Sequence, residues 1–391
     1  MLAIINGKVI LPDAQAGGHF QAVPGRVVLI DGKYIKSIVS QQESPSVDGE
    51  YEIFDAEGRY VSPGFINIHI HGCLGADTMD KDPEAIPTMR RGLTKMGVTS
   101  LLPTTMTCPL EEIYQALANV RNNMQSEGGA EVLGAHMEGP FISPDKKGAQ
   151  SAASIRPADF KLLEPYLDVI KYITLAPEEL HGDYAFVEQC RRAGIHVSMG
   201  HTSADYEAAL EAYHHGIRHA THLFNAMAPF QHRKPGVVGA VLDTDCVAEL
   251  IADGIHAHAA AQRLAWRLKG EGRLILITDS MRACGLSDGE SELGGQKVFV
   301  KGQLATLADG TIAASVATMD HVVRTFAKST GIGLARTVEL VTRVPAEEMG
   351  CAGERGILQP GSLANIAVFD EEANVYATFV HGLLDYQAKN C

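Results

Sequence analysis

Between residues 65 and 279 the chain repeats one short pattern, an apolar run suited to a buried strand, most often followed by a stretch with helical period. The runs are FINIHI (65–70), VTSLLPTT (98–105), EVLGAHME (131–138), IKYITLA (170–176), IHVSMG (195–200), HATHLF (219–224), VAELIA (247–252) and LILITD (274–279). Apolar residues on both faces of a strand call for cover on both sides, which a parallel sheet wrapped by helices provides. Segments such as LEEIYQALANVRNNM (110–124), DYEAALEAYHHG (205–216) and AAAQRLAWRLKG (259–270) carry the helical period that such cover needs. Eight units in a row predict an α/β fold closed into a (β/α)₈ barrel rather than an open sheet. The pattern is thinnest at the fourth unit and between the sixth and seventh runs. A stretch at about 283–313 interrupts it and reads as a hairpin.

The two ends have a different texture. AIINGKVI (3–10), VVLID (27–31) and YIKSIV (34–39) are β-rich runs broken by Asn-Gly and Asp-Gly turns, and LANIAVFD (363–370) and VYATFV (375–380) resemble them. Residues 1–62 and 356–391 are therefore expected to form one small β-domain beside a barrel of residues 63–355. The net charge of −14 argues against nucleic acid or an anionic membrane as main partner. A small anionic substrate stays open, because a local basic cluster outweighs a distant acidic field beyond ~10 Å. The start MLAIINGKVILPD lacks the pattern of an export signal, and no apolar run is long enough to span a membrane. Seven scattered cysteines, Cys391 among them, contain no CxxC pair and fit reduced thiols in a cytoplasmic protein.

In such barrels the chemistry sits at the C-terminal strand ends. Those ends carry His69 and His71 on the first run, Glu138 on the third, His201 on the fifth, His222 on the sixth and Asp279 on the eighth. His256 follows the seventh. Each has an ordinary explanation alone: a local hydrogen bond for the HxH pair, an arginine partner for Glu138, a helix cap for Asp279. Together, four imidazoles and two carboxylates at successive ends point to divalent metal. Such N/O ligands suit Zn²⁺, Fe²⁺ or Mn²⁺ without choosing among them. Two ions are possible, one on Glu138, His201 and His222, the other on His69, His71, Glu138 and Asp279. Arg233, flanked by His232 and Lys234, is either a planar fork for phosphate or a solvated basic turn.

These residues lie in PGFINIHIHGCLGADTMD (63–80), HMEGPFISPDKKGAQ (136–150), SMGHTSAD (198–205), THLFNAMAPFQHRKPGVVG (221–239), IADGIH (251–256) and LITDSMRACG (276–285). On those stretches the chain resembles the N-acetylglucosamine-6-phosphate deacetylases, a branch of the amidohydrolase superfamily. The resemblance implies a barrel with a small β-sandwich built from both termini, usually in a homodimer. It implies hydrolysis of N-acetyl-D-glucosamine 6-phosphate to glucosamine 6-phosphate and acetate by metal-activated water. Residue by residue, Glu138, His201 and His222 match the principal metal ligands and Asp279 the proton carrier. Asn225, Ala226, Arg233 and His256 match positions that bind the sugar phosphate, Arg233 by reaching a neighbouring subunit's site. Ala149 and Gln150, and the loop of Ile312, Ala313 and Ala314, match further substrate contacts. Some members lack the first-strand HxH; here it is kept, which leaves room for a second ion. Some carry His where this chain has Gln150, which is then expected to donate a hydrogen bond to substrate rather than move a proton.

Two other readings compete. A cyclic amidase of the same superfamily commonly bridges its metals with a modified lysine, but the third run has Glu138 and no lysine. A non-catalytic sugar-phosphate sensor would be marked by loss of Asp279 or the ligands, and both are present. A serine hydrolase is disfavoured by the absence of a GxSxG elbow.

Overall fold

The computed structural model describes residues 1–42 and 51–389. All eight apolar runs become parallel strands: Phe65–Ile70, Val98–Thr105, Ala135–Glu138, Ile170–Leu175, His196–Met199, His219–Ala220, Val247–Ile251 and Leu274–Ile277. They are hydrogen-bonded in sequence order as a nearly closed barrel. The first, second and eighth strands are buried along their whole length, as the unbroken apolar runs require.

Among the described residues no ladder joins the eighth strand to the first. The chain just after helix Leu334–Glu339 fills the seam instead: the Leu276 amide donates to the Leu340 carbonyl (3.1 Å) and that of Ile66 to Val341 (2.7 Å). At the top of the seam the Asp279 amide donates to the His69 carbonyl (3.0 Å), which sets the last strand end against the first.

Outer helices follow most strands, including Gly236–Asp243 between the sixth and seventh. The thin place lies elsewhere than expected. The third-to-fourth connection holds only 3₁₀ turns, at Pro144–Lys146, Ala152–Ser154, Phe160–Leu162 and Glu164–Tyr166. Its prolines, including Pro157 and Pro165, remove amide donors that a longer helix would need. The excursion after the eighth strand is a three-stranded antiparallel sheet, Gly289–Leu293, Gln296–Lys301 and Leu304–Thr306, one strand more than the expected hairpin.

Strands from both ends form one mixed sheet: Leu2–Asp13, His19–Asp31, Tyr34–Ser40, Glu52–Asp55 and Tyr60–Pro63 with Ile366–Phe369, Val375–Val380 and Leu383–Gln387. Its strands enclose a hydrophobic core of their own, as the expected β-sandwich requires. Phe54 meets Phe379 edge-on at 4.9 Å within a core of Ile4, Val28, Val61 and Ile366. Its other face leans on the start of the first barrel strand, where Phe369 lies 5.8 Å from Phe65. No helix among the described residues is long and apolar enough to cross a membrane. Their six cysteines are unpaired and five are buried; Cys391 lies outside the described residues.

Glu131 fastens this sheet to the barrel, accepting from Arg355 (2.9 Å) and His381 (3.2 Å). Burial raises the Glu131 pKa, but His381 and Arg355 outweigh it and hold the carboxyl below its usual range. A depressed carboxylate stabilises the fold above its unfolded value of ~4.3 and loses that contribution as pH falls through the folded one. Glu131→Gln is therefore expected to cost about 2 kcal/mol at pH 7. The difference from wild type should shrink below pH 4 in thermal melts.

Candidate metal centre

Six side chains from five strand ends meet at the top of the barrel. Glu138 ends the third strand and is 2% exposed. Its Oε1 lies 3.4 Å from His69 Nε2, 3.2 Å from His201 Nε2 and 3.0 Å from His222 Nε2, and its Oε2 lies 3.4 Å from His71 Nε2. Asp279 Oδ1 stands 3.4 Å from His69 Nε2 and 3.2 Å from His71 Nε2. His69 and His71, two apart across the end of one strand, present their rings to the same side. His201, His222 and Asp279 each lie two residues past the end of a strand in a left-handed conformation, φ 47°, 33° and 47°. Non-glycine residues adopt it at a cost of about 1–3 kcal/mol, the kind of local strain found where a side chain must be aimed.

The second nitrogen of each ring decides what the first can do. His71 Nδ1 faces the Thr104 carbonyl (3.1 Å), His201 Nδ1 that of Lys146 (2.9 Å) and His222 Nδ1 that of Asn225 (3.1 Å). His69 Nδ1 faces the Glu249 carboxylate at 2.8 Å. Carbonyls and carboxylates only accept, so each Nδ1 carries a proton, and in the neutral ring each Nε2 offers a bare lone pair. Four such lone pairs point at a carboxylate, and His201 and His222 also face each other at 3.2 Å. Neutral and empty, that arrangement repels itself; a cation in its middle turns it into a ligand set. Two buried polar atoms without a hydrogen-bond partner, His69 Nε2 and Asp279 Oδ1, border the same space. Among the described residues three groups are close enough to share an ion: Glu138, His201 and His222; His69, His71 and Glu138; and, beneath them, His69, His136 and Glu249. The donors fit a divalent metal ion on this structure's own geometry.

Protons compete with an ion for those same nitrogens. Burial opposes charge on His71, yet its bonds to Asp279 and Glu138 push its pKa up to about 10. His201 is raised too, where Glu138 outweighs burial. Burial raises Glu138 as well, but His201, His222 and His69 hold it well below the carboxylate range. The site is a pocket of negative charge that gathers positive charge.

Above it opens a cavity of about 340 Å³. Of the expected substrate contacts, Ala149, Gln150, Asn225, Ala226, His256, Ile312 and Ala314 line it. Ala313 is fully buried, its amide pairing with the Ala305 carbonyl, and Arg233 stands away from the cavity on an exposed turn. Gln150 is already engaged: Oε1 accepts from the Thr107 amide (2.7 Å) and Nε2 donates to Glu138 Oε2. Asn225 and Ala226 open no helix; they lie in a turn, with Ala226 left-handed at φ 51°. His256 donates from Nδ1 to Asp253 (2.7 Å), and Asp253 overcomes burial to raise its pKa.

Sequence reading passed over Glu249, His136 and Asp253. Glu249 is a carboxylate inside the apolar run VAELIA, the signal that singled out Glu138. His136 sits two residues before Glu138, on the same strand face. Both His136 nitrogens are satisfied, by the Ile68 carbonyl (3.1 Å) and the Thr174 hydroxyl (2.7 Å), and burial pushes its pKa down to about 3. It supports the site from beneath.

Residues 60–384 match the amidohydrolase family as a whole. The N-acetylglucosamine-6-phosphate deacetylase of Bacillus subtilis is 41% identical over 374 residues, covering 93% of each chain. This chain belongs to the amidohydrolase family. As a member it is a metal-dependent hydrolase. The amidohydrolase also superposes on the crystal structure of N-acetylglucosamine-6-phosphate deacetylase from Pasteurella multocida with TM-score 0.90 and 31% identity, over 98% of this chain and 99% of that one. The N-acetylgalactosamine-6-phosphate deacetylase of Escherichia coli O157:H7 is 33% identical, covering 85% of this chain and 89% of its own.

Proposed function

We propose that this amidohydrolase hydrolyses N-acetyl-D-glucosamine 6-phosphate to D-glucosamine 6-phosphate and acetate. What carries the reading is the convergence of four Nε2 lone pairs on Glu138, with an unpartnered Asp279 oxygen at the edge of the same cavity. A divalent ion held by Glu138, His201 and His222, with a second place at His69, His71 and Glu138 beside Asp279, would polarise an amide carbonyl and acidify water there. Asp279 accepts the proton of the attacking water at Oδ1 and then hands it to the nitrogen of the breaking C–N bond. The amine thus leaves neutral rather than as an anion. Gln150 holds Glu138 by a hydrogen bond and fronts the acetamide. His256, its pKa raised by Asp253, and the turn at Asn225 and Ala226 face the sugar phosphate, with Ala149, Ile312 and Ala314 around the ring.

Arg233 takes part from a second subunit of a homodimer, which is consistent with its place outside its own chain's cavity. Co-expressing Arg233→Ala with Asp279→Asn should restore activity, because a hybrid dimer has one site with both residues intact. Hybrids as inactive as either parent would exclude a role for Arg233 across the interface. The metal is Zn²⁺, Fe²⁺ or Mn²⁺ and the enzyme is cytoplasmic, where its thiols stay reduced; nucleic acid and membrane are not partners. The division into a terminal β-domain (1–62, 356–391) and a barrel (63–355) is part of the same reading, with 43–50 and 390–391 outside the described residues.

The test is release of free amine from three substrates by metal-loaded protein. N-acetylglucosamine 6-phosphate should be the best, its galacto epimer slower, and unphosphorylated N-acetylglucosamine lower in kcat/KM by about 100-fold or more. Equal turnover with and without phosphate would remove His256 and Arg233 from recognition, and no turnover of any would sink the deacetylase reading.

A further inference from the structure

Glu249 lies beneath the metal centre on the seventh strand, fully buried and away from the cavity. Every side-chain contact it makes runs toward the ligand set or toward two histidines beneath it, His219 and His136, the latter with Nδ1 3.9 Å from Oε1. Oε2 accepts from His69 Nδ1 (2.8 Å) and from the His222 backbone amide (3.3 Å). Oε1 accepts from His219 Nε2 (3.2 Å), and His219 Nδ1 faces Glu348 at 3.4 Å. A buried carboxylate is costly unless its oxygens are satisfied, and here all its partners belong to this one column.

His69 is the only one of the four converging imidazoles whose Nδ1 partner is a side chain; the other three lean on backbone carbonyls. Backbone carbonyls cannot be replaced by mutation or reversed in role. The orientation of His69 therefore hangs on one replaceable group. Because a carboxylate accepts and never donates, it forces the proton onto Nδ1 and leaves Nε2 free toward Glu138 and Asp279. An amide in its place can present its NH₂, which admits the opposite tautomer, with Nε2 protonated and closed to an ion.

We propose that Glu249 is a positioning residue that decides whether the His69–His71–Glu138 group takes an ion, while the Glu138–His201–His222 group fills without it. The inference rests on the metal-centre reading above. It adds that occupancy of the second place is set from inside the barrel, by a residue that touches neither ion nor substrate.

The experiment is Mn²⁺ titration of wild type, Glu249→Gln and Glu249→Asp, followed by equilibrium dialysis and by electron paramagnetic resonance of the spin-coupled pair. Wild type should take two ions per chain and give the coupled signal. Glu249→Gln should keep the first ion with unchanged affinity, bind the second about 10–100-fold more weakly and lose the coupled signal. Imidazole ¹⁵N shifts should show His69 no longer held in the Nδ1–H form. Glu249→Asp, which keeps an acceptor-only group on a shorter stem, should lie between the two and serves if the Gln variant does not fold. Two ions bound with wild-type affinity in a folded Gln or Asp variant would overturn the proposal while leaving deacetylation untouched. A wild type that takes a single ion would overturn it as well, and one that takes none would remove the metal centre itself.

Discussion

Asp279→Asn lowers kcat on the order of 10³-fold and leaves ion content and KM close to wild type. The substitution keeps the shape of the side chain, and the amide oxygen still reaches the space bordered by His69 Nε2 and His71 Nε2, 3.4 and 3.2 Å away. What it removes is the ability to take up a proton and return it. The cavity, the phosphate contacts and the Glu138, His201 and His222 group are untouched, so substrate still binds. Amine release in single-turnover conditions, read beside metal analysis of the same sample, separates the two effects. A variant that loses its ions along with its activity would make Asp279 a ligand first and a proton carrier second.

Glu138→Gln acts one step earlier and has the larger effect. One carboxylate faces all four Nε2 atoms at 3.0 to 3.4 Å, so both candidate ion places share it. Gln retains the volume but supplies no charge, and its NH₂ donates to the imidazole lone pairs that an ion would otherwise use. Affinity for both ions is expected to fall by more than about 100-fold, with activity lost to the background rate. Added Mn²⁺ or Zn²⁺ should restore little. Full rescue by millimolar metal would mean that the histidines alone hold the ion and that Glu138 serves only to tune it.

Much of this was legible before any fold was seen, because barrel strands buried on both faces must be apolar without interruption. A charged or imidazole side chain at their ends then stands out, and His69, Glu138, His222 and Asp279 could be named from that contrast. Glu249 obeyed the same contrast and was passed over because it sits in the middle of its run rather than at the end. Arg233 and Ala313 show a second limit: residues a few positions apart on a loop face opposite ways, and no period tells which enters the cavity. The seam between the eighth and first strands was not legible either. It is filled by carbonyls of Leu340 and Val341, and backbone groups carry no signature in the side-chain pattern. The same holds for the Thr104, Lys146 and Asn225 carbonyls that fix three of the four imidazoles.

Everything said of catalysis depends on those imidazoles and Glu138 enclosing a divalent cation. The most direct check is anomalous diffraction from crystals grown with Zn²⁺ or Mn²⁺, collected at the edge of the added metal. The peak should stand about 2.0–2.2 Å from a Glu138 oxygen and from Nε2 of both His201 and His222. A metal peak elsewhere in active protein, or rings turned so that Nδ1 faces inward, would contradict the account.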